Sequence, residues 1–133
     1  MESTRPGIKI CGITREEEAE MLNEAGVTHA GFVFYEKSKR YIEMPKTKDI
    51  FKKLKKDIIK VAVTVDPDGA LLAQIEEAGF DVLQVHKRLR PEVLQKTALP
   101  IWYAINLSPK EVENDVAWKE AEKLAQEAKV KAF

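Results

Sequence analysis

The residues with the most chemical potential stand near the start of the chain, in Gly7-Ile8-Lys9-Ile10-Cys11-Gly12-Ile13-Thr14-Arg15. This stretch reads as a short buried strand that ends on a thiol, turns at a glycine and opens a helix at Thr14. Strand alternation puts Ile8 and Ile10 on one face and Lys9 with Cys11 on the other. Cys11 is then the last residue of the strand, at the end where α/β folds place their chemistry. Gly12 permits a sharp turn and lets a ligand come close to the backbone. A lone cysteine is otherwise an ordinary buried apolar residue, so position rather than type makes Cys11 a candidate.

Other polar side chains fall at predicted C-terminal strand ends: Thr64 with Asp66, Gln84 with His86, and Asn106. Such ends line one rim, where loops from separate strands converge on a ligand. His86 taken alone reads equally well as a satisfied structural histidine. Asp66 is accounted for as a helix cap and is assigned no chemistry.

The elements that must position these residues alternate between short apolar runs and longer amphipathic ones. Thr14 with Glu17 forms a capping box for a helix from about Arg15 to Ala25, its stripe made by Ala19, Leu22 and Ala25 with Met21 beside them, closed by Gly26. Ala30 to Phe34 reads as a second strand, running into a polar loop from Tyr35 to Tyr41. Pro45 to Lys56 reads as a helix with Ile50, Phe51 and Leu54 inward, and Ile58 to Val65 as a strand covered on both faces. Asp66-Pro67 supplies a cap and first-turn proline for a third helix ending at Gly79. Val82 to His86 is a fourth strand, Pro91 to Lys96 a short helix and Ile101 to Leu107 a fifth strand. A helix over Asp115 to Ala128 precedes the opening of a sixth strand at Val130. No hairpin signal interrupts this βα recurrence, so the strands are parallel with right-handed crossovers. An open doubly wound sheet and a (β/α)8 barrel both fit.

The 133 residues suit a single domain over 1–133. Charges cancel, 22 basic against 22 acidic, which gives no pull toward nucleic acid or an anionic membrane. Lys52, Lys53, Lys55 and Lys56 read as the solvated face of a helix. One cysteine forms no intrachain disulfide and no metal-ligand spacing. With no secretory or membrane-spanning run, the reading is a cytoplasmic protein.

Taken together, four stretches resemble the phosphoribosylanthranilate isomerase family of tryptophan biosynthesis. They are Lys9-Ile10-Cys11-Gly12-Ile13-Thr14, Gly31-Phe32-Val33-Phe34 with Ser38-Lys39-Arg40-Tyr41-Ile42, Lys60-Val61-Ala62-Val63, and Asp81-Val82-Leu83-Gln84-Val85-His86. The resemblance reaches to about Leu107 and implies a (β/α)8 TIM barrel of which the first five to six βα units are present. It implies an Amadori rearrangement, aminoaldose phosphate to aminoketose phosphate, with no cofactor and a phosphorylated small-molecule substrate. An acid protonates the ribose ring oxygen, and a base removes the proton from the neighbouring carbon. Cys11 matches the family's general base, a task for a thiol whose pKa lies near working pH. Arg40 matches the arginine that holds the anthranilate carboxylate, and Gln84 and His86 match a supporting pair on the fourth strand.

The sequence also departs from the family. Lys39 stands where proline usually separates the serine and arginine, and Lys87, followed by Arg88 and Arg90, stands where glycine usually follows the histidine. The fifth strand is unusually aromatic. The family's general acid, at the far end of the sixth strand, and its phosphate-binding loops have no counterpart here. The expectation is a native chain that continues past Phe133, with self-association through open sheet edges if it does not. The alternative function is an inactive family descendant that binds a small anion or a partner chain; an unrelated open α/β binding domain, with Cys11 merely core, is the third reading.

Overall fold

The computed structural model describes residues 7–86, 91–104 and 130–132. Six short strands and four helices alternate along them: β1 (Lys9–Cys11), α1 (Glu16–Ala25), β2 (His29–Val33), α2 (Met44–Lys53), β3 (Ile59–Val65), α3 (Gly69–Ala78), β4 (Val82–His86), α4 (Pro91–Lys96), β5 (Ile101–Ala104) and β6 (Val130–Ala132). The strands form one sheet in the order β1-β2-β3-β4-β5-β6, and every neighbouring pair is parallel. A doubly wound sheet reverses its strand order at a switch point. Here the order never turns back, so the chain runs through its strands as a (β/α) barrel does.

Alternation along the strands separates two environments. Ala30, Phe32, Ala62, Leu83, Val85, Ile101 and Tyr103 point toward the helices and are buried with Leu22, Ile50, Leu72, Ile75 and Val93 in the main core. Phe32, Phe51 and Phe80 meet edge to face at its centre, with centroids 5.0–5.7 Å apart, the geometry that the ring quadrupoles favour. On the opposite, inner face Val61, Val63 and Val82 make a smaller cluster with Val33, Ile59 and Trp102. Ile8 and Ile10 stay 47% and 43% exposed. Ile10 lies on β1 and Ile8 just before it, and β1 pairs only with β2 among the described residues.

Several boundaries differ from the sequence reading. Helix α1 starts at Glu16, and Thr14 pairs with Glu18 rather than Glu17: its amide and hydroxyl both donate to Glu18 Oε1, at 3.3 and 3.0 Å. Burial pushes the Glu18 carboxyl up, but hydrogen bonds from Thr14 and the charge of Arg15 prevail and hold it below its ordinary value. Ala25 and Met21, expected on or beside the buried stripe, are both exposed. The cap of α3 is Asp68, whose Oδ1 accepts from the Leu71 amide at 2.8 Å. Asp66 cannot fill that place because its φ of 43° is left-handed, whereas an N-cap is extended. Asp66 is therefore not the helix cap. Thr64 is also reassigned: fully buried on the helix side of β3, its hydroxyl donates to the Gln84 carbonyl at 2.8 Å and ties β3 to β4. Strand β4 and helix α4 keep their expected bounds, and β6 begins at Val130 beside β5 as expected. Asn106, the second half of the fifth strand, the helix over 115–128 and the cations Lys87, Arg88 and Arg90 lie outside the described residues.

Candidate active site

Cys11 ends β1 on the inner face and is exposed. Two glycines hold it there. The Gly31 carbonyl on β2 accepts from the amides of both Gly12 and Ile13, at 3.0 and 3.1 Å, which pins the turn after the thiol. Gly31 is also the floor of the site: a Cβ there would meet Cys11 Sγ at 3.1 Å, the Cys11 Cα at 3.2 Å and Lys9 Cε at 3.2 Å. Only hydrogen fits beneath the sulfur.

Arg40 reaches this turn from the loop between β2 and α2. A Cβ on Gly12 would lie 2.9 Å from Arg40 Cγ and 3.1 Å from Arg40 Cβ, so the arginine stem lies on the bare glycine next to Cys11. The loop is shaped by Ser38. Its amide donates to the Tyr35 carbonyl at 2.9 Å, its hydroxyl accepts from the Arg40 amide at 3.1 Å, and its carbonyl accepts from Tyr41 at 3.2 Å. Ile42 then donates to the Val33 carbonyl at 3.0 Å, closing the loop onto β2. With Lys39 in the place of proline, hydrogen bonds rather than a ring set the turn; Lys39 itself is exposed.

Gly12 takes φ 87°, a left-handed conformation. Gly12→Ala should therefore cost about 1–2 kcal/mol from backbone strain alone, plus the displacement of Arg40. Chemical denaturation measures this, and an unchanged midpoint would contradict the geometry.

Strand β4 supplies Gln84 and His86 on the same inner face. Gln84 Nε2 and His86 Nε2 are 2.8 Å apart, and Lys9 Nζ donates to Gln84 Oε1. Lys9 also lies over Trp102, 5.9 Å from the ring centroid, and Trp102 packs on His29 at 5.2 Å. The two residues passed over in the sequence are thus Lys9 and Trp102. The signals were present: alternation already put Lys9 on Cys11's face, and the fifth strand stood out as aromatic.

Burial holds the Lys9 ammonium below its ordinary value, with the charge of Cys11 working against that shift. Burial lowers His86 and His29 as well, and the nearby positive charge of Lys9 adds to both. Both imidazoles are thereby biased to the neutral form. Among the described residues no three His, Cys, Asp or Glu side chains gather as metal ligands, and no helix is long and apolar enough to cross a membrane.

Residues 8–129 match the family model described as N-(5'phosphoribosyl)anthranilate (PRA) isomerase. The chain belongs to the phosphoribosylanthranilate isomerase family. The N-(5'-phosphoribosyl)anthranilate isomerase of Nitrosospira multiformis is 37% identical over 103 residues, covering 77% of this chain and 50% of that protein. The phosphoribosyl anthranilate isomerase of Thermus thermophilus superposes with a TM-score of 0.69 at 33% identity, over 77% of this chain and 53% of the other. A phosphoribosyl anthranilate isomerase solved with reduced 1-(o-carboxyphenylamino)-1-deoxyribulose 5-phosphate gives a TM-score of 0.73 at 30% identity, covering 86% and 61%. The chain spans about half the length of the curated relatives it matches. As a family member it has the expected partial (β/α) barrel, with the first βα units in family order.

Proposed function

We propose that this chain carries the base and the carboxylate clamp of a phosphoribosylanthranilate isomerase, acting on a phosphorylated small molecule in tryptophan biosynthesis. The observation that carries the reading is the Arg40 stem lying on Gly12, the residue that follows the exposed Cys11 at the strand-end rim. A thiol base and a guanidinium suit the sugar and the anthranilate carboxylate of N-(5-phosphoribosyl)anthranilate. Arg40 takes the anthranilate carboxylate in a fork of paired hydrogen bonds. Cys11, beside it, removes the proton from the sugar carbon next to the Schiff base, giving the enolamine that tautomerises to the aminoketose. Gln84 and His86 line the inner face across from Cys11 and position the sugar. The acid that opens the ribose ring and the phosphate-binding groups have no candidate among the described residues. The relative solved with a reduced product analogue supports the substrate class.

The test is a turnover assay of the complete protein with N-(5-phosphoribosyl)anthranilate. Turnover supports the reading, and a folded protein that binds the analogue without turnover supports the inactive-descendant alternative. Arg40→Ala should raise KM roughly 10- to 100-fold, the worth of about 1.5–3 kcal/mol in hydrogen bonds to a charged group. It should leave kcat nearly unchanged, since the clamp binds ground and transition state alike. A fall confined to kcat would remove Arg40 from the clamp.

A further inference from the structure

We infer that Lys9 is a positioning residue: acting through the Gln84 amide, it holds His86 as a neutral imidazole with its proton on Nδ1. The inference deepens the isomerase reading and rests on it only for its catalytic meaning.

An ammonium group donates and never accepts, so its contact with Gln84 identifies the amide oxygen as the atom facing Lys9. The amide nitrogen must then face His86. An amide nitrogen only donates, so the His86 Nε2 at 2.8 Å accepts. That nitrogen carries no proton, and in a neutral ring the proton resides on Nδ1. Protonating His86 would set an N–H against an NH2. Relieving that conflict requires turning the amide, which would aim its NH2 at the ammonium. One lysine therefore opposes imidazolium twice, by its charge and by fixing the amide.

Register supports the alignment. Val63 pairs with Gln84 and Val65 with His86 in the parallel β3–β4 ladder, so Gln84 and His86 are two residues apart on the same face. The titratable groups on the inner face of the neighbouring strands are Lys9 and Cys11 on β1 and His29 on β2, and Asp66 follows Val65 in the turn after β3; the charge that acts on His86 is that of Lys9. Next to His86 on β5 stands Ala104, which does not titrate.

The consequence for the site is specific. His86 offers a fixed N–H donor and is withheld from acting as a base, which leaves proton abstraction to Cys11. A donor of that kind suits a sugar hydroxyl or the ring oxygen of the substrate.

The experiment is long-range 1H–15N correlation spectroscopy of the full chain across pH, with His29 and His86 assigned from His86→Gln. The wild type should show a single Nδ1–H tautomer of His86 and a midpoint below 6.5, the ordinary histidine value. In Lys9→Met the amide is released and the opposing charge is gone. The tautomers should then mix and the midpoint rise. Lys9→Arg, which keeps both the donor and the charge, should restore the wild-type signature. A folded Lys9→Met variant with the Nδ1–H tautomer and midpoint unmoved would overturn the inference.

Gln84→Glu gives an independent reading should Lys9→Met not fold. A carboxylate accepts from both sides, so the His86 proton should move to Nε2 and the midpoint rise; an unchanged ring would again overturn the inference. These spectra require no turnover, so they stand or fall separately from the isomerase assignment. In the complete protein, kcat/KM of Lys9→Met should lose activity on the acid side, where His86 takes up a proton, and Lys9→Arg should not.

Discussion

Cys11→Ala in the complete protein should lower isomerase turnover roughly 10²–10⁴-fold, the range that a positioned general base supplies. The thiol sits at the exposed end of β1 on the inner face, over Gly31, outside both apolar clusters. Its removal therefore takes almost nothing from the core, and stability should shift by no more than about 0.5 kcal/mol, as for ordinary surface changes. The separation of the two effects is the informative result. A large fall in kcat with an unmoved denaturation midpoint assigns the thiol to chemistry. Unchanged turnover would remove Cys11 from the mechanism, and a large loss of stability would make it a packing residue. Cys11→Ser should be similarly impaired, because an alcohol is far harder to deprotonate than a thiol.

Phe32→Ala should be the most damaging substitution for the fold, costing about 3–5 kcal/mol. Phe32 is fully buried on the helix side of β2, between the rings of Phe51 on α2 and Phe80 at the entry to β4, at 5.2 and 5.7 Å. Phe80 also meets Phe34 at 5.4 Å, so one ring cluster joins β2, α2 and the segment leading into β4. Truncation would leave a cavity that the surrounding strands, tied by parallel ladders on both sides of β2, cannot close. With total stability of order 5–15 kcal/mol for a domain, such a loss is a large fraction of the whole. Urea denaturation of the complete protein measures it; a cost below about 1 kcal/mol would show that the cluster repacks freely. Because Phe32 follows Gly31, the floor beneath Cys11, partial loosening of β2 should also weaken catalysis in molecules that remain folded.

Much of this molecule was legible in the residues alone. The βα recurrence, the face shared by Lys9 and Cys11, and the bounds of β4 and α4 follow from local rules: strand alternation, glycine and proline punctuation, and the burial of apolar runs. Local rules also explain the errors. Asp66-Pro67 has the composition of a helix start, but the chain leaves β3 through a left-handed residue, so the cap falls two positions later at Asp68. Glu17 has the spacing of a capping box, yet Glu18 is the carboxylate that the turn presents to Thr14. Thr64 has the position of a rim residue and the wrong face.

What sequence reading could not supply is which distant residues meet. Periodicity assigns a side chain to a face of its own element, while contact depends on the register between elements, which is set by packing across the whole sheet. Periodicity left the strand order open between a barrel and a doubly wound sheet, and only the family resemblance pointed to the barrel. The order itself, Arg40 lying on Gly12, and Lys9 reaching Gln84 across the inner face were decided at that level. A sequence separation of 75 residues joins Lys9 to Gln84. The parallel ladders and the inward turn of alternate side chains bring those two groups together, and no local preference in either strand encodes their meeting.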